Sequence, residues 1–462
     1  MTSLTRRQPP AQAPSPIPTP TLLTPHLPPK TLVGIDLITF TSTPNFHGIR
    51  DIPSGWHFLY TGTTEGLSLR CGGWFFIDET TQKDTGTSNG GGPQVLIWRW
   101  DGNTEALEPI QGTREGYQDA MRYRANLGAL WRSGGLFGYR SRVPGQGLRQ
   151  EEDEADEEDG RIEWRALTDR LSARLMSRIT GTQFEEFDKD WDGRVRWVVT
   201  SGGTAKRDDD DIPGLEGASL EQVTQSGKAG EKEREFSFLP VDLKMTWREG
   251  AIGRERTEAA RDRSWALGEI VHTVSSQSGA ADGDEREGEA QVLGELQFTF
   301  LMGLTLMNYS CLQQWKRLLR LILTCRRAIV ERAPFMAEAL RLLLLQLKRC
   351  DDVEGGLFDQ LGNEEGVGEG AEFLRKLLKA FRIALYETLE GVDSSPVKTE
   401  FERLEAWVKS EYDWELDRDA VLRKGMLQLE DGEEVEMEMI EDEEDDYAPV
   451  IVDLDTLPEE LR

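Results

Sequence analysis

The sequence predicts a multidomain α+β protein: a sandwich-like β domain, then an α-helical domain, with disordered acidic segments between and behind them. Three observations carry this. Short runs rich in aromatic and β-branched residues, separated by Gly, Pro and Asn, fill residues 32–139, the signature of strands joined by turns. From residue 161 onward apolar residues recur at spacings of three and four, the helical period. Two acidic runs, Glu151–Asp159 with eight carboxylates and Glu430–Asp446 with twelve, hold no Lys or Arg and mark stretches too polar to form a core.

A chain of 462 residues has room for two or three ordinary domains, each with its own core; the patterning supports two. Net charge is −30, but the 20 acids of the two runs account for most of it and leave about −10 for the rest. An acidic mean field repels phosphate backbones, which disfavours nucleic-acid binding over a broad surface. The four cysteines, Cys71, Cys311, Cys325 and Cys350, show no CxxC spacing and read as buried small hydrophobes of a reducing compartment, cytoplasm or nucleus. Residues 1–30 hold nine prolines and no apolar signal region. The run Val292–Tyr309 approaches membrane-spanning length, yet Glu295, Gln297 and Asn308 interrupt it, so a buried core helix is expected.

Residues 1–30 are expected to be a disordered, partly polyproline leader. The β domain follows over 31–145, with strands expected at Leu32–Phe40, Trp56–Tyr60, Trp74–Ile77 and Val95–Trp100. The Gly-rich stretch before Val95 lacks a Gly-Lys-Ser/Thr sequence and is no P-loop. An acidic linker is expected over 146–160. The helical domain, 161–418, opens with a stripe of Trp164, Leu167, Leu171, Leu175 and Ile179. It contains an expected hairpin at Trp191–Thr200 and a disordered insertion near 205–235. Further helices are read at Thr257–Val271, from Leu293 onward, at Leu312–Leu323, Glu338–Lys348, Phe373–Leu389 and Phe401–Tyr412. In Leu312–Leu323, residues Leu312, Trp315, Leu319 and Ile322 face inward while Lys316, Arg317 and Arg320 face outward. Residues 419–462 form an acidic tail. Within it Tyr447-Ala448-Pro449-Val450-Ile451-Val452 has β preference but no nearby partner strand, which suits it to extend another protein's sheet.

No catalytic, cofactor or metal residues are expected. Asp188, Asp190, Asp192 and Gly193 spell the start of a calcium loop, but Val199 stands where the bidentate glutamate belongs. Of four histidines, His26, His47, His57 and His272, only His47 and His57 fall together in the β domain. They have neither zinc spacing nor a neighbouring nucleophile motif, though an enzyme using them is one alternative. The basic residues Lys316, Arg317, Arg320, Arg326, Arg327, Arg341, Lys348 and Arg349 read as a solvated helix face. The alternative is an RNA-binding module.

Several blocks resemble the AAR-two splicing factor family of U5 small nuclear ribonucleoprotein assembly factors. In order they are Gly34-Ile35-Asp36; Phe46-His47-Gly48-Ile49 leading to Ile52-Pro53-Ser54-Gly55-Trp56-His57-Phe58; Arg70–Phe76; Glu255-Arg256-Thr257 with Asp262-Arg263-Ser264; Leu293–Phe300; Gln314–Leu319; and Tyr447–Leu454. Ser54 departs from the pattern, which commonly has a second proline there. The resemblance implies a β-sandwich-like domain, an α-helical VHS-like superhelix and no enzymatic activity. It also implies a chaperone role in pre-mRNA splicing. The partner would be the large U5 scaffold protein Prp-eight, bound through its ribonuclease-H-like and Jab/MPN-like domains so that helicase or RNA is blocked from associating early. Residues Tyr447, Ala448, Pro449, Val450, Ile451 and Val452 would bridge the two partner domains as an added strand. The protein is expected to be a monomer before complex formation, in cytoplasm and nucleus, without a membrane contact.

Overall fold

The structure, a computed structural model, describes residues 19–62, 69–78, 94–110, 114–143, 150–181, 197–205, 235–277, 285–350, 369–391 and 394–417, with the backbone of two further strands at 423–428 and 434–439. The chain forms two compact units. The first comprises Met1–Arg165, Met176–Gly203 and Ala229–Glu235; the second comprises Ala166–Leu175, Thr204–Lys228 and Phe236–Arg462.

The first unit is built on two five-stranded sheets. One has the order β8 (Ala106–Pro109), β7 (Val95–Asp101), β1 (Thr21–Leu23), β4 (Gly48–Arg50) and β9 (Leu136–Gly138). The other runs β10 (Trp197–Thr200), β6 (Cys71–Ile77), β5 (Gly55–Gly62), β2 (Leu32–Ile35) and β3 (Ile38–Thr41). Leu22, Ile49, Leu96 and Trp98 of the first sheet share one buried cluster with Val33, Ile35, Leu59, Phe75 and Ile77 of the second. That shared core makes the unit a sandwich.

Four expectations are corrected here. The leader is not wholly disordered: Thr21–Leu23 is the central strand of its sheet, antiparallel to β4 and parallel to β7. Leu22 enters the sandwich core and Leu23 the opposite face, so two leucines between prolines suffice to seat it. Leu32–Phe40 is not one strand but the hairpin β2–β3, turned by Asp36 at a φ of 54°. The expected linker is helical from Gln150, since α2 (Gln150–Thr168) runs through the acidic stretch. There Glu157 accepts the Ser141 amide at 2.9 Å and pairs with Arg161 at 3.3 Å, while Glu152, Glu154 and Glu158 stay exposed. Finally, Trp197–Thr200 pairs with β6, Trp197 opposite Trp74 and Thr200 opposite Cys71. It is thus an edge strand of the first unit rather than half of a local hairpin in the helical domain.

Both outer faces of the sandwich are covered. Helix α1 (Arg114–Arg132), absent from the expectations, lays Ala120, Tyr123, Leu127, Leu130 and Trp131 over Leu23, Ile97 and Leu136. On the other sheet Trp164 of α2 stacks on Trp74 with centroids 6.0 Å apart and donates its indole N–H to the Trp56 carbonyl at 2.7 Å. Strands covered on both faces lose the polar alternation that would mark a half-exposed strand, which is why Phe58, Leu59 and Tyr60 are buried in succession.

The second unit is helical. After α3 (Ala173–Thr180), which passes from it into the first, come α4 (Arg254–Arg261), α5 (Ser264–Gln277), α6 (Glu285–Leu306), α7 (Tyr309–Leu323), α8 (Ala328–Glu331), α9 (Ala333–Leu347), α10 (Glu369–Thr388) and α11 (Pro396–Tyr412). Helix α6 is buried at every position from Gln291 to Leu306, with α5, α7 and α9 packed on it. A helix enclosed on all sides needs no polar face, so the densest apolar run of the chain is its centre. Pro334 sits in the first turn of α9 and Pro396 in that of α11, where a missing amide costs nothing. None of the helices among the described residues is long and apolar enough to cross a membrane.

The expected tail begins with structure: β11 (Arg423–Gln428) and β12 (Glu434–Met439) pair as an antiparallel two-stranded sheet, Lys424 opposite Glu438. The alternation in Glu-Val-Glu-Met-Glu-Met is period two and fits a strand.

Candidate functional site

The histidine considered for chemistry is built into the fold. Asp36 turns the β2–β3 hairpin, and its carboxylate points back into the sandwich. Its Oδ2 lies 2.7 Å from His57 Nδ1 and accepts the Tyr139 hydroxyl at 2.6 Å, while Oδ1 accepts the Phe58 amide at 2.9 Å. His57 Nε2 meets the Pro53 carbonyl at 3.0 Å. His57 and Asp36 are 1% and 2% exposed, so both ring nitrogens are engaged and shut away from solvent. Burial, and then the charge and hydrogen bond of Asp36, push the Tyr139 hydroxyl well above its ordinary pKa. His47 lies apart as an exposed residue, as does His272; His26 bonds Tyr123 at 2.9 Å. The cluster closes a hairpin, and the family-like letters Gly34-Ile35-Asp36 and Trp56-His57-Phe58 are its two halves. Gly34 belongs to it for room: a Cβ there would collide with the Tyr60 ring.

The LGELQF letters do similar work in the helical unit. Glu295, wholly buried, accepts the Leu239 amide with both oxygens, at 2.9 and 3.1 Å, and the Gln314 side-chain amide at 2.8 Å. Gln314 also donates to the Leu239 carbonyl at 3.1 Å. Gln297 donates to the Ala166 carbonyl and to Asp169 at 3.1 and 2.7 Å, and accepts the Arg170 amide at 3.0 Å. At Gly294 the Arg170 carbonyl comes within 2.6 Å of where a Cβ would stand. Gln346 links the Trp315 indole at 2.9 Å to the Leu296 carbonyl at 3.1 Å. Polar residues on an enclosed helix thus fasten irregular segments whose backbone would otherwise be buried without partners.

Asp262-Arg263-Ser264 is a third fastening. Asp262 accepts from the Ser264 hydroxyl at 2.5 Å, from the Arg326 amide at 2.9 Å and from the Arg327 side chain at 2.9 Å. Burial alone would raise the Asp262 pKa, but the hydrogen bonds from Ser264 and Arg327 and the Arg327 charge outweigh it and hold the value below the usual 3.8. A folded value below the unfolded one means that the stability it adds is present above the ordinary carboxylate range and is lost as acid protonates the folded group. Asp262→Asn should therefore flatten the fall in melting temperature between about pH 5 and about pH 2. An acid limb parallel to that of the unsubstituted protein would remove Asp262 from this account.

The basic helical face is largely answered from within. Lys316 and Arg320 lie over the Phe373 ring at 5.8 and 5.4 Å. Arg326 pairs with Glu387 at 3.0 Å, Arg327 with Asp262 at 2.9 Å and Arg341 with Glu400 at 2.9 Å. Among the described residues no group of three or more His, Cys, Asp or Glu is placed to hold a metal. The calcium-like Asp188–Gly193 stretch, most of the 205–235 insertion and the predicted partner strand Tyr447–Val452 lie outside the described residues.

What sequence reading missed is the outer face of α1. Tyr117 and Met121 are 55% and 58% exposed there, and Ala125 and Gly128 continue the line. The signal was available: Tyr117, Met121, Ala125 and Gly128 recur at spacings of three and four, behind the packed line of Ala120, which is buried, and Tyr123 and Leu127, which are half-buried.

Comparison with known proteins agrees with both units. The chain matches the AAR2 N-terminal domain over residues 18–181 and the AAR2 C-terminal repeat region over residues 238–417. It is 25% identical over 336 residues to the Protein AAR2 homolog of Homo sapiens, covering 70% of this chain and 73% of that protein. With the Protein AAR2 homolog of Mus musculus it shares 28% identity over 304 residues, covering 65% and 67%. Matched in both halves, in order and over most of its length, the chain belongs to the AAR2 family.

Proposed function

We propose that this protein is a non-catalytic assembly factor of the U5 small nuclear ribonucleoprotein in pre-mRNA splicing. It binds the ribonuclease-H-like and Jab/MPN-like domains of the scaffold protein Prp-eight and thereby keeps helicase or RNA off an immature particle. It works as a monomer until the complex forms, in cytoplasm and nucleus, and its helical unit serves as a VHS-like superhelix. The observation that carries the reading is the match to both family regions, in order, across the two units. Two features of the molecule support it. His57, the residue nearest to a catalytic candidate, has both nitrogens engaged and is 1% exposed, which suits a scaffold. Three of the basic residues, Arg326, Arg327 and Arg341, carry their own counter-charges, which weakens their pull on phosphate and favours a protein partner over RNA.

Steric occupancy of two partner domains requires contact with both at once, and the segment Tyr447–Val452 bridges them as an added strand, linked to the contacts of the folded units. Two linked contacts bind more tightly than either alone. Capture of the two scaffold domains should therefore weaken by about tenfold or more when the chain ends before Asp445. Val450→Pro with Val452→Pro should weaken it similarly by removing ladder donors. Unchanged capture by both variants would refute strand addition by this segment.

A further inference from the structure

Helix α1 has two apolar faces, and only one is covered by the sandwich. At 100° per residue, Tyr117, Met121, Ala125 and Gly128 form a second stripe directed away from Ala120, Tyr123 and Leu127. All four are exposed, and beyond the helix's own backbone and Gly128's chain neighbours nothing lies within 4 Å of where a Cβ on Gly128 would be. Arg114 and Arg132 fall within the same arc and are exposed as well, while Arg124 stands at its sandwich-side edge and donates to the Val95 carbonyl at 3.5 Å. The helix's acids, Glu115 and Asp119, fall outside it, and Asp119 pairs with Arg122 at 3.3 Å and Arg99 at 3.8 Å. The surface is a basic-rimmed apolar strip on a chain of net charge −30, so it selects an occupant with apolar residues bracketed by acid.

The chain itself contains such a segment. Tyr447-Ala448-Pro449-Val450-Ile451-Val452 is preceded by Asp445 and Asp446 and followed by Asp453 and Asp455. The lengths agree. Tyr117 to Gly128 spans roughly 17 Å of helix, and Tyr447 to Val452, extended, spans roughly 17 Å of chain. Arg114 and Arg132 stand roughly 27 Å apart, beyond both ends of the strip, where the flanking aspartates would lie.

We propose that the outer face of α1 is the resting site of the chain's own segment Tyr447–Val452, which leaves it when the protein partner takes the strand. The proposal rests on the reading of that segment as partner-binding. Docking hides an apolar β-prone segment from adventitious sheet edges and makes partner capture a competition. The partner's apparent affinity is then its intrinsic affinity reduced by the fraction of chains with the segment free.

The test uses the full chain with a photo-crosslinking side chain at position 450. Intramolecular products, separated from dimers by size, should map to residues 114–132. They should fall several-fold with Met121→Asp, with the charge reversals Arg114→Glu and Arg132→Glu together, and in high salt. Met121 is exposed, so these changes leave the fold intact; circular dichroism checks this. Products spread over other surfaces, or unaffected by the substitutions, overturn the proposal. A second arm separates it from the functional reading: capture of the scaffold domains should strengthen about two- to tenfold in Met121→Asp, as the competing site is lost. If the truncated chain captures the scaffold undiminished, the reading of Tyr447–Val452 as the partner-binding strand fails whatever the crosslinks show. If truncation abolishes capture while Met121→Asp leaves it unchanged, only the resting site is overturned.

Discussion

Asp36→Ala is expected to destabilise the first unit by roughly 3–5 kcal/mol. The carboxylate it removes is the shared acceptor for the Tyr139 hydroxyl and the Phe58 amide and the partner of His57. Each buried donor left without an acceptor costs about 1–3 kcal/mol. Tyr139→Phe removes only one donor and should cost about 1 kcal/mol. Because Asp36 sits at a φ of 54°, part of the alanine effect is backbone strain. Asp36→Gly relieves that strain while still deleting the carboxylate, so it isolates the hydrogen-bonding loss. Thermal unfolding and amide exchange at Phe58 measure both. If Asp36→Gly were as stable as the unsubstituted protein, the cluster would contribute nothing to the fold.

In the helical unit Glu295→Ala should cost a comparable roughly 3–5 kcal/mol. It orphans the Leu239 amide and the Gln314 side chain together and leaves a space in an enclosed helix. Glu295→Gln is nearly the same size, yet one of its two side-chain atoms becomes a donor, facing the Leu239 amide or the Gln314 amide. It should therefore recover only part of the loss. Faster hydrogen exchange of the Leu239 amide in both variants, with α10 and α11 little affected, would locate the damage at this fastening. Exchange at Leu239 that stays as slow as before would contradict it.

The helices beyond residue 285 were legible because their cores repeat at three and four: Leu312, Trp315, Leu319 and Ile322 are all buried as the stripe requires, as are Phe401, Leu404 and Val408. The strands around Trp56, Trp74 and Val95 were legible from aromatic and β-branched density. Helix α1 was not, because Tyr117, Met121 and the arginines dilute its buried line, and the strands before it invited a β reading. Composition also misjudged the acidic run before Arg161. Exposed glutamates are compatible with a helix, and Glu157 secures the Ser141 amide.

By itself the sequence determined that an apolar run from Leu293 to Ile322 would form the heart of a helical domain and that a β domain would precede it. Local period and side-chain type are sufficient for that. Only the tertiary structure decided that Thr21–Leu23 is a central strand, that Trp197–Thr200 returns to the second sheet of the sandwich, and that Glu295, Gln297 and Gln314 are fastenings rather than flaws in an apolar helix. Each depends on a partner far away in the chain: Gln94 and Arg50, Trp74, Leu239 and Arg170. A periodicity read over a dozen residues has no access to such a partner, whereas a buried amide or carboxylate is satisfied only when the fold brings that partner to it.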